Sequence, residues 1–176
     1  LKPEDVMWGG FHKHTRNDIR KAIKSELKLR EISNEKELKK FYKIYSKSMK
    51  EFGTPQHSYK FFRNILNIMK KRFIGLNCYN KKKMIGSLMM VYYNNCGYIL
   101  FNVSDARYRD FRPNDFLYWE TIKWGIKNNL EYIDAGQVDA RAERGSRAYN
   151  LFKFKEKWLG GIYPRSYFYL GEKRKN

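Results

Sequence analysis

Apolar positions along the chain recur with two different periods, and the places where the period changes mark its elements. From Thr15 to about Lys28, Ile19, Ala22, Ile23 and Leu27 return three and four residues apart, which predicts a short basic helix with those four on one face. Ser33 or Asn34 then offers an N-cap, and Glu35 and Glu37 fall in the first turn, where acidic groups suit the helix dipole. Leu38, Phe41, Tyr42, Tyr45 and Met49 carry the helical stripe onward until Gly53-Thr54-Pro55 breaks it. A second amphipathic helix is predicted from about His57 to Lys71 on Phe61, Phe62, Ile65, Leu66 and Met69, so two antiparallel helices precede any sheet.

The period then shortens. Phe73 to Tyr79 and Met84 to Tyr93 read as strands around a turn at Asn80 to Lys83. Asn94-Asn95, residues that tolerate positive φ, lead into a third strand from Tyr98 to Val103, which makes an antiparallel meander. After a polar loop, Pro113-Asn114-Asp115 opens a helix with Phe116, Trp119, Ile122 and Ile126 facing inward, closed by Asn128-Asn129. Leu130 to Ala135 is a short strand that should be central, and strand, helix, strand implies a parallel crossover. A long basic loop from Gly136 to Arg147, a helix near Ala148 to Trp158 and an aromatic strand from Ile162 to Leu170 complete the pattern; Pro164 places that strand at an edge or bulge. The fold class is α/β (α+β): a mixed sheet with flanking helices and a βα crossover. Residues 1–34 read as a basic N-terminal extension or inter-domain helix, and residues 35–176 as the domain proper.

Composition narrows the function classes. The 176 residues carry a net charge of +19, concentrated in residues 35–72 and 141–176 while residues 73–140 stay nearly neutral. Such a charge favours an anionic partner, nucleic acid or nucleotide, although solvated lysines on helix faces give the same count. Cys78 and Cys96 follow neither metal nor disulfide spacing and read as reduced core thiols. His12, His14 and His57 lack partners at ligand spacing, the first two belonging to a polar N-terminal strand or loop, so no metal is expected. No GxSxG, P-loop or HExxH is present. No apolar run approaches the roughly 20 residues of a membrane span. No secretory leader is visible, so the cytoplasm is the expected location. The chain opens at Leu1 without an initiating methionine, as a fragment would.

Three local sequences carry more information. They are Asn114-Asp115-Phe116-Leu117-Tyr118-Trp119-Glu120, then Tyr132-Ile133-Asp134-Ala135-Gly136, then Phe154-Lys155-Glu156-Lys157-Trp158-Leu159-Gly160-Gly161. With the basic run Arg16-Asn17-Asp18-Ile19-Arg20-Lys21-Ala22, they resemble the C-terminal GNAT unit of the FemAB-like aminoacyl and peptidyl transferases, over roughly residues 15 to 170. The resemblance implies an N-acyltransferase with no tightly bound cofactor. Its donor co-substrate would be aminoacyl-tRNA or acyl-CoA, and its acceptor a small amine such as a cell-wall precursor. Two departures matter. The pyrophosphate loop of an acetyl-CoA-binding GNAT carries glycines that let backbone N–H groups reach the phosphates. Here the matching Arg109-Asp110-Phe111-Arg112-Pro113-Asn114 has none, and Pro113 removes a donor, which favours a tRNA ester. The family also carries two GNAT units, whereas this length suits one, so part of the acceptor site would lie on a missing half.

An activated ester needs little more than an amine held about 3 Å from its carbonyl and a charge for the developing oxyanion. By resemblance Lys155 is the first candidate for that charge; its dull alternative is a solvated helix lysine. Asp134, at a strand end, suits accepting the amine proton, or merely capping the following loop. Tyr149 is a candidate general acid, one among 14 tyrosines. Arg109, Arg112, Asn114, Arg141, Arg144 and Arg147 are the expected donor phosphate contacts, and Arg20, Lys21, Phe154 and Trp158 the expected acceptor contacts. The competing reading is a non-catalytic RNA-binding module that uses the basic flanks as phosphate contacts and exposed aromatics as stacking platforms. A degenerate, partner-binding GNAT is a third.

Overall fold

The computed structural model describes residues 1–164. Helices α1 (Glu4–Gly10), α2 (Lys13–Lys24), α3 (Glu35–Glu51), α4 (Tyr59–Ile68), α5 (Pro113–Lys127) and α6 (Arg147–Glu156) surround strands β1 (Lys28–Glu31), β2 (Phe73–Asn80), β3 (Lys83–Tyr93), β4 (Cys96–Ser104) and β5 (Tyr132–Asp134). The expected cap of α3 forms: Asn34 Oδ1 accepts the Glu37 N–H at 3.0 Å. The strands order β1-β2-β3-β4-β5, antiparallel through β4, with β5 parallel to β4. This is the mixed sheet and crossover that the periodicity predicts. One face packs Ile74, Leu76, Ile85, Leu88 and Met90 against α2 and α5; the other packs Met89 and Val103 against α3 and α4. Among the described residues no helix is long and apolar enough to cross a membrane.

Several boundaries differ from expectation, each for a local reason. The expected polar strand or loop around His12 and His14 is instead the start of α2. His12 caps it, its Nδ1 accepting the His14 N–H at 3.3 Å in place of a serine oxygen. That helix stops at Lys24, and Glu26, at φ +52°, turns the chain into β1, a strand of four residues too short to register as a period. A strand therefore comes before the two long helices. Ile23, expected inward, is exposed, and on α4 only Phe62 of the predicted stripe is fully buried. The polar loop after β4 holds a 3₁₀ turn at Ala106–Phe111. The strand bearing Asp134 is not central: β5 forms the sheet edge among the described residues. Ile162 to Pro164 are not extended into a strand, and the rest of the expected closing strand lies outside the described residues.

Residues 1–34 share the core of the domain. Met7, Phe11, Ile19, Ala22 and Leu27 pack in the same cluster as Phe116, Leu117 and Trp119. A division at residue 34 thus falls between a strand of the sheet and the helix that follows it. Both cysteines are buried and free; burial pushes the Cys78 thiol up to about 12, as suits an inert packing group.

Candidate active site

β4 and β5 run side by side for three residue pairs, Cys96 with Tyr132, Gly97 with Ile133 and Tyr98 with Asp134, and then separate. Gly97 is crowded from both sides: a Cβ there would come within 2.6 Å of Met90 Sδ on β3 and 3.3 Å of Ile133 Cγ1 on β5. Two features open the pair beyond it. The register of β4 against β3 slips at Leu100, since Met90 faces Ile99 and Met89 faces Phe101, a bulge that bends the strand. After β5 the chain leaves through Gly136, whose φ of +78° is a conformation glycine adopts without strain. The pairing ends at the C-terminal end of β5 and partway along β4, which leaves a wedge between the two strands on the C-terminal side of the pair, where ligands collect in α/β sheets. Helix α5, which follows β4 through the 3₁₀ turn, starts at the same end, so its positive N-terminus faces this region.

Lys155 and Asp134 meet at the wedge. The Lys155 ammonium donates to the Gln137 carbonyl at 2.9 Å and lies 3.4 Å from where a Gly136 side chain would begin. Burial holds its pKa below the ordinary lysine value, with the Asp134 charge opposing. Asp134 is exposed, and its Oδ1 accepts the Gly136 N–H at 2.6 Å, so the loop-capping role is realised while its second oxygen remains for a proton. Tyr149 is not brought there. It lies six residues, about 9 Å along α6, before Lys155, with its N–H on Ser146 Oγ and its ring against Phe152.

The expected phosphate contacts divide. Arg109 is exposed on the 3₁₀ turn. Arg112, left-handed at φ +56°, takes the cap position of α5 and pairs with Asp18 at 3.2 Å. Its Nε and the Oδ1 of Asn114 are buried without a hydrogen-bond partner among the described residues. Arg141 and Arg144 are exposed in the loop before α6, whereas Arg147 stacks on Phe52 at the end of α3, 3.2 Å from the ring centre. Of the expected acceptor contacts, Arg20 and Lys21 line an open groove of about 430 Å³ on α2, and Arg20 also stands over Trp8. Trp158 and Phe154 instead face inward. Trp158 is buried, stacked on Tyr118 at 5.4 Å and edge-on to Phe11, and Phe154 meets Tyr118 edge-on at 4.9 Å. These rings dock α6, which the "Phe-Lys-x-x-aromatic-Gly" spacing does not by itself distinguish from ligand contact.

Two features escaped the sequence reading. Lys157 pairs with buried Asp115 and, at 3.3 Å, with Asp18. Asn102 buries both polar atoms of its amide without a partner among the described residues. It stands opposite Leu88, so it shares the sheet face covered by α5. An isolated asparagine in an aromatic strand carries no signal in sequence. Of the aromatics on the helical stripes, Phe41, Tyr45 and Phe62 are buried against one another and against Phe101, whereas Phe61 on α4 and Tyr93, Tyr98 and Tyr132 on the strands are exposed.

A bulged sheet sandwiched by helices, opening at a parallel strand pair beside a helix N-terminus and a half-buried lysine, defines an acyl-transfer domain. The chain belongs to the GNAT acetyltransferase domain family, whose model matches residues 11–150. Within it the chain is FemAB-like. It is 33% identical over 73 residues to the lipid II:glycine glycyltransferase of Staphylococcus epidermidis and 29% identical over the same length to that of Staphylococcus aureus. That match spans 42% of this chain and only 17% of those relatives. Among solved structures it is similar to FemX, with a TM-score of 0.78 and 16% identity, over 89% of this chain and 56% of FemX. It is similar also to an aminoglycoside acetyltransferase from an uncultured soil metagenomic sample, with a TM-score of 0.60 and 16% identity, over 83% of this chain and 97% of the other.

Proposed function

We propose that this acyltransferase domain moves an aminoacyl group from an ester on tRNA to a primary amine of a cell-wall precursor, in the cytoplasm. The observation that carries the reading is the Lys155 ammonium, half-buried and held at the wedge by α6. In the reaction the neutral amine attacks the ester carbonyl and a C–N bond forms. Lys155, which needs only to exchange the Gln137 carbonyl for the new acceptor, stabilises the oxyanion. The C–O bond to the ribose then breaks, the amine proton passing through Asp134 or water to the departing hydroxyl. Acyl-CoA would react by the same route with a thiol leaving. The ester is preferred because the glycine-free turn before α5 has Arg112 committed to Asp18, which leaves a poor cradle for a pyrophosphate. The staphylococcal relatives act on lipid II with glycine, which supports an amine on a peptidoglycan precursor as acceptor. The chain spans 56% of FemX, and a second GNAT-like unit would supply the remaining acceptor contacts.

The test is transfer from glycyl- or alanyl-tRNA, against acetyl-CoA, to an amine acceptor, by wild type and Lys155→Met. The variant is expected to keep donor affinity and lose about 10²- to 10³-fold in kcat. Equal turnover by both proteins, or none by wild type from either donor class, would overturn the reading.

A further inference from the structure

Helix α6 delivers Lys155, yet none of its ten residues is fully buried, so its position depends on how its two ends are fastened. At the start, Arg147 lies over the exposed ring of Phe52. At the end, the chain is tied from three sides. Lys157 pairs with Asp115 in the first turn of α5 and with Asp18 on α2, Asp18 pairs in turn with Arg112, and the same ammonium lies 4.9 Å and 5.5 Å from the Phe154 and Trp158 rings. Lys155 and Lys157 are two positions apart and so project from nearly opposite sides of the helix, one toward the wedge and one toward the network. They are joined through the backbone as well. The Lys155 carbonyl accepts the N–H of Lys157 and, at 3.2 Å, that of Trp158.

We propose that Lys157 is a positioning residue for the transfer step: by pairing with Asp115 and Asp18 it fixes the last turn of α6 and thereby sets where the Lys155 ammonium stands. This rests on Lys155 acting at the carbonyl. Asp115 alone would be a poor buried carboxylate. Burial pushes its pKa up, and Lys157 with Arg112 pulls it back, so the pair holds only while both partners keep their places. The charged group that faces Lys155 from a neighbouring element is Asp134; on α6 itself Lys153 and Glu156 pair with each other. A shift of α6 therefore changes the surroundings of Lys155 through burial and its distance from Asp134.

The experiment uses the whole chain and two readouts. Competitive acetylation with trace acetic anhydride, followed by mass spectrometry across pH, reports the titration of Lys155. Steady-state transfer from aminoacyl-tRNA reports kcat and KM. In the double variant Asp115→Asn/Lys157→Met, which removes both charges of the pair together, Lys155 is expected to titrate with the surface lysines, and kcat to fall about tenfold with KM little changed. Lys157→Arg, which keeps the charge, is expected to recover most of what Lys157→Met loses. Asp18→Asn, at a partly exposed site that tolerates the change, repeats the test in milder form, with the same direction of shift and about a threefold loss in kcat. Wild-type titration of Lys155 together with wild-type kcat in the folded double variant, or in Asp18→Asn should the double variant not fold, overturns the proposal. If wild type transfers nothing, the function reading fails, and the labelling still decides whether Lys157 sets the state of Lys155.

Discussion

The polar clusters beneath α3 and beneath α5 are satisfied to different degrees, although Ser46 Oγ and Tyr59 OH on the α3–α4 side are also buried without a partner among the described residues. Where α3 crosses β2 and β3, the carboxylate of Glu37 accepts from Lys40 at 2.7 Å, Tyr79 at 2.7 Å and Asn77 at 3.0 Å. The Asn77 amide also donates to the Glu37 backbone carbonyl and accepts from Ser87 at 2.8 Å. Where α5 crosses β4, Asn102, the Oδ1 of Asn114 and the hydroxyl of Thr121 are buried with no partner among the described residues. An unpaired buried amide costs free energy that a paired one does not. Proteins keep such groups where something other than stability is selected. The Glu37–Asn77 cluster is scaffold, closed on itself, whereas the groups beneath α5 have no protein partner among the described residues.

The same kind of substitution beneath α3 and beneath α5 is expected to have unequal effects. Asn77→Leu removes one of the three donors to the Glu37 carboxylate and one acceptor of the Ser87 hydroxyl, and is expected to cost about 1 to 3 kcal/mol in chemical denaturation. A smaller cost would show that the cluster is not the closed scaffold described. The acid limb sharpens the point. Burial pushes the Glu37 carboxyl up, but the hydrogen bonds from Lys40, Asn77 and Tyr79 outweigh it and hold the pKa at about 2 against an ordinary value of 4.5. Because the folded-state value is depressed, this stabilisation is complete above pH 4.5 and disappears as pH falls toward about 2. Glu37→Gln is therefore expected to be less stable at neutral pH and to show a shallower loss of stability across that window than wild type. The smallest effect belongs to the other face. Asn102→Leu removes an amide that already lacks partners among the described residues, so its stability is expected to stay within about 1 kcal/mol of wild type or to rise. A loss comparable with that of Asn77→Leu would mean that Asn102 is satisfied in the folded chain and that the contrast is empty.

How much of this was legible beforehand differs by element. Helices α3 and α5 and the meander from β2 to β4 were readable because their apolar stripes are long and their ends are marked by Asn34, Gly53 and Pro113. Helix α1 and strand β1 were not. Seven residues with two glycines, and four residues with a single half-buried side chain, carry too little period, and β1 exists because β2, more than forty residues later, gives it a partner. Around the candidate site, Lys155 and Asp134 were singled out by local motif, and the fold brings them near each other. Trp158 and Phe154 were found as well, but with the wrong neighbours, since a motif names residues and not the side of the helix that is buried.

Short-range physics, legible in the sequence, set the order of the elements from α3 to α6, the cap of α3, the βα crossover, and the presence of a lysine and an aspartate at the ends of two elements. The tertiary structure alone decided that β5 lies at an edge, that β4 and β5 part after Tyr98, and that Asp18, Arg112, Asp115 and Lys157 form one network. Those outcomes depend on which groups come to share a low-dielectric space. That is set by the packing of segments distant in the chain, because the strength of a charge pair or the cost of an unpaired amide is a property of the surroundings rather than of the residue.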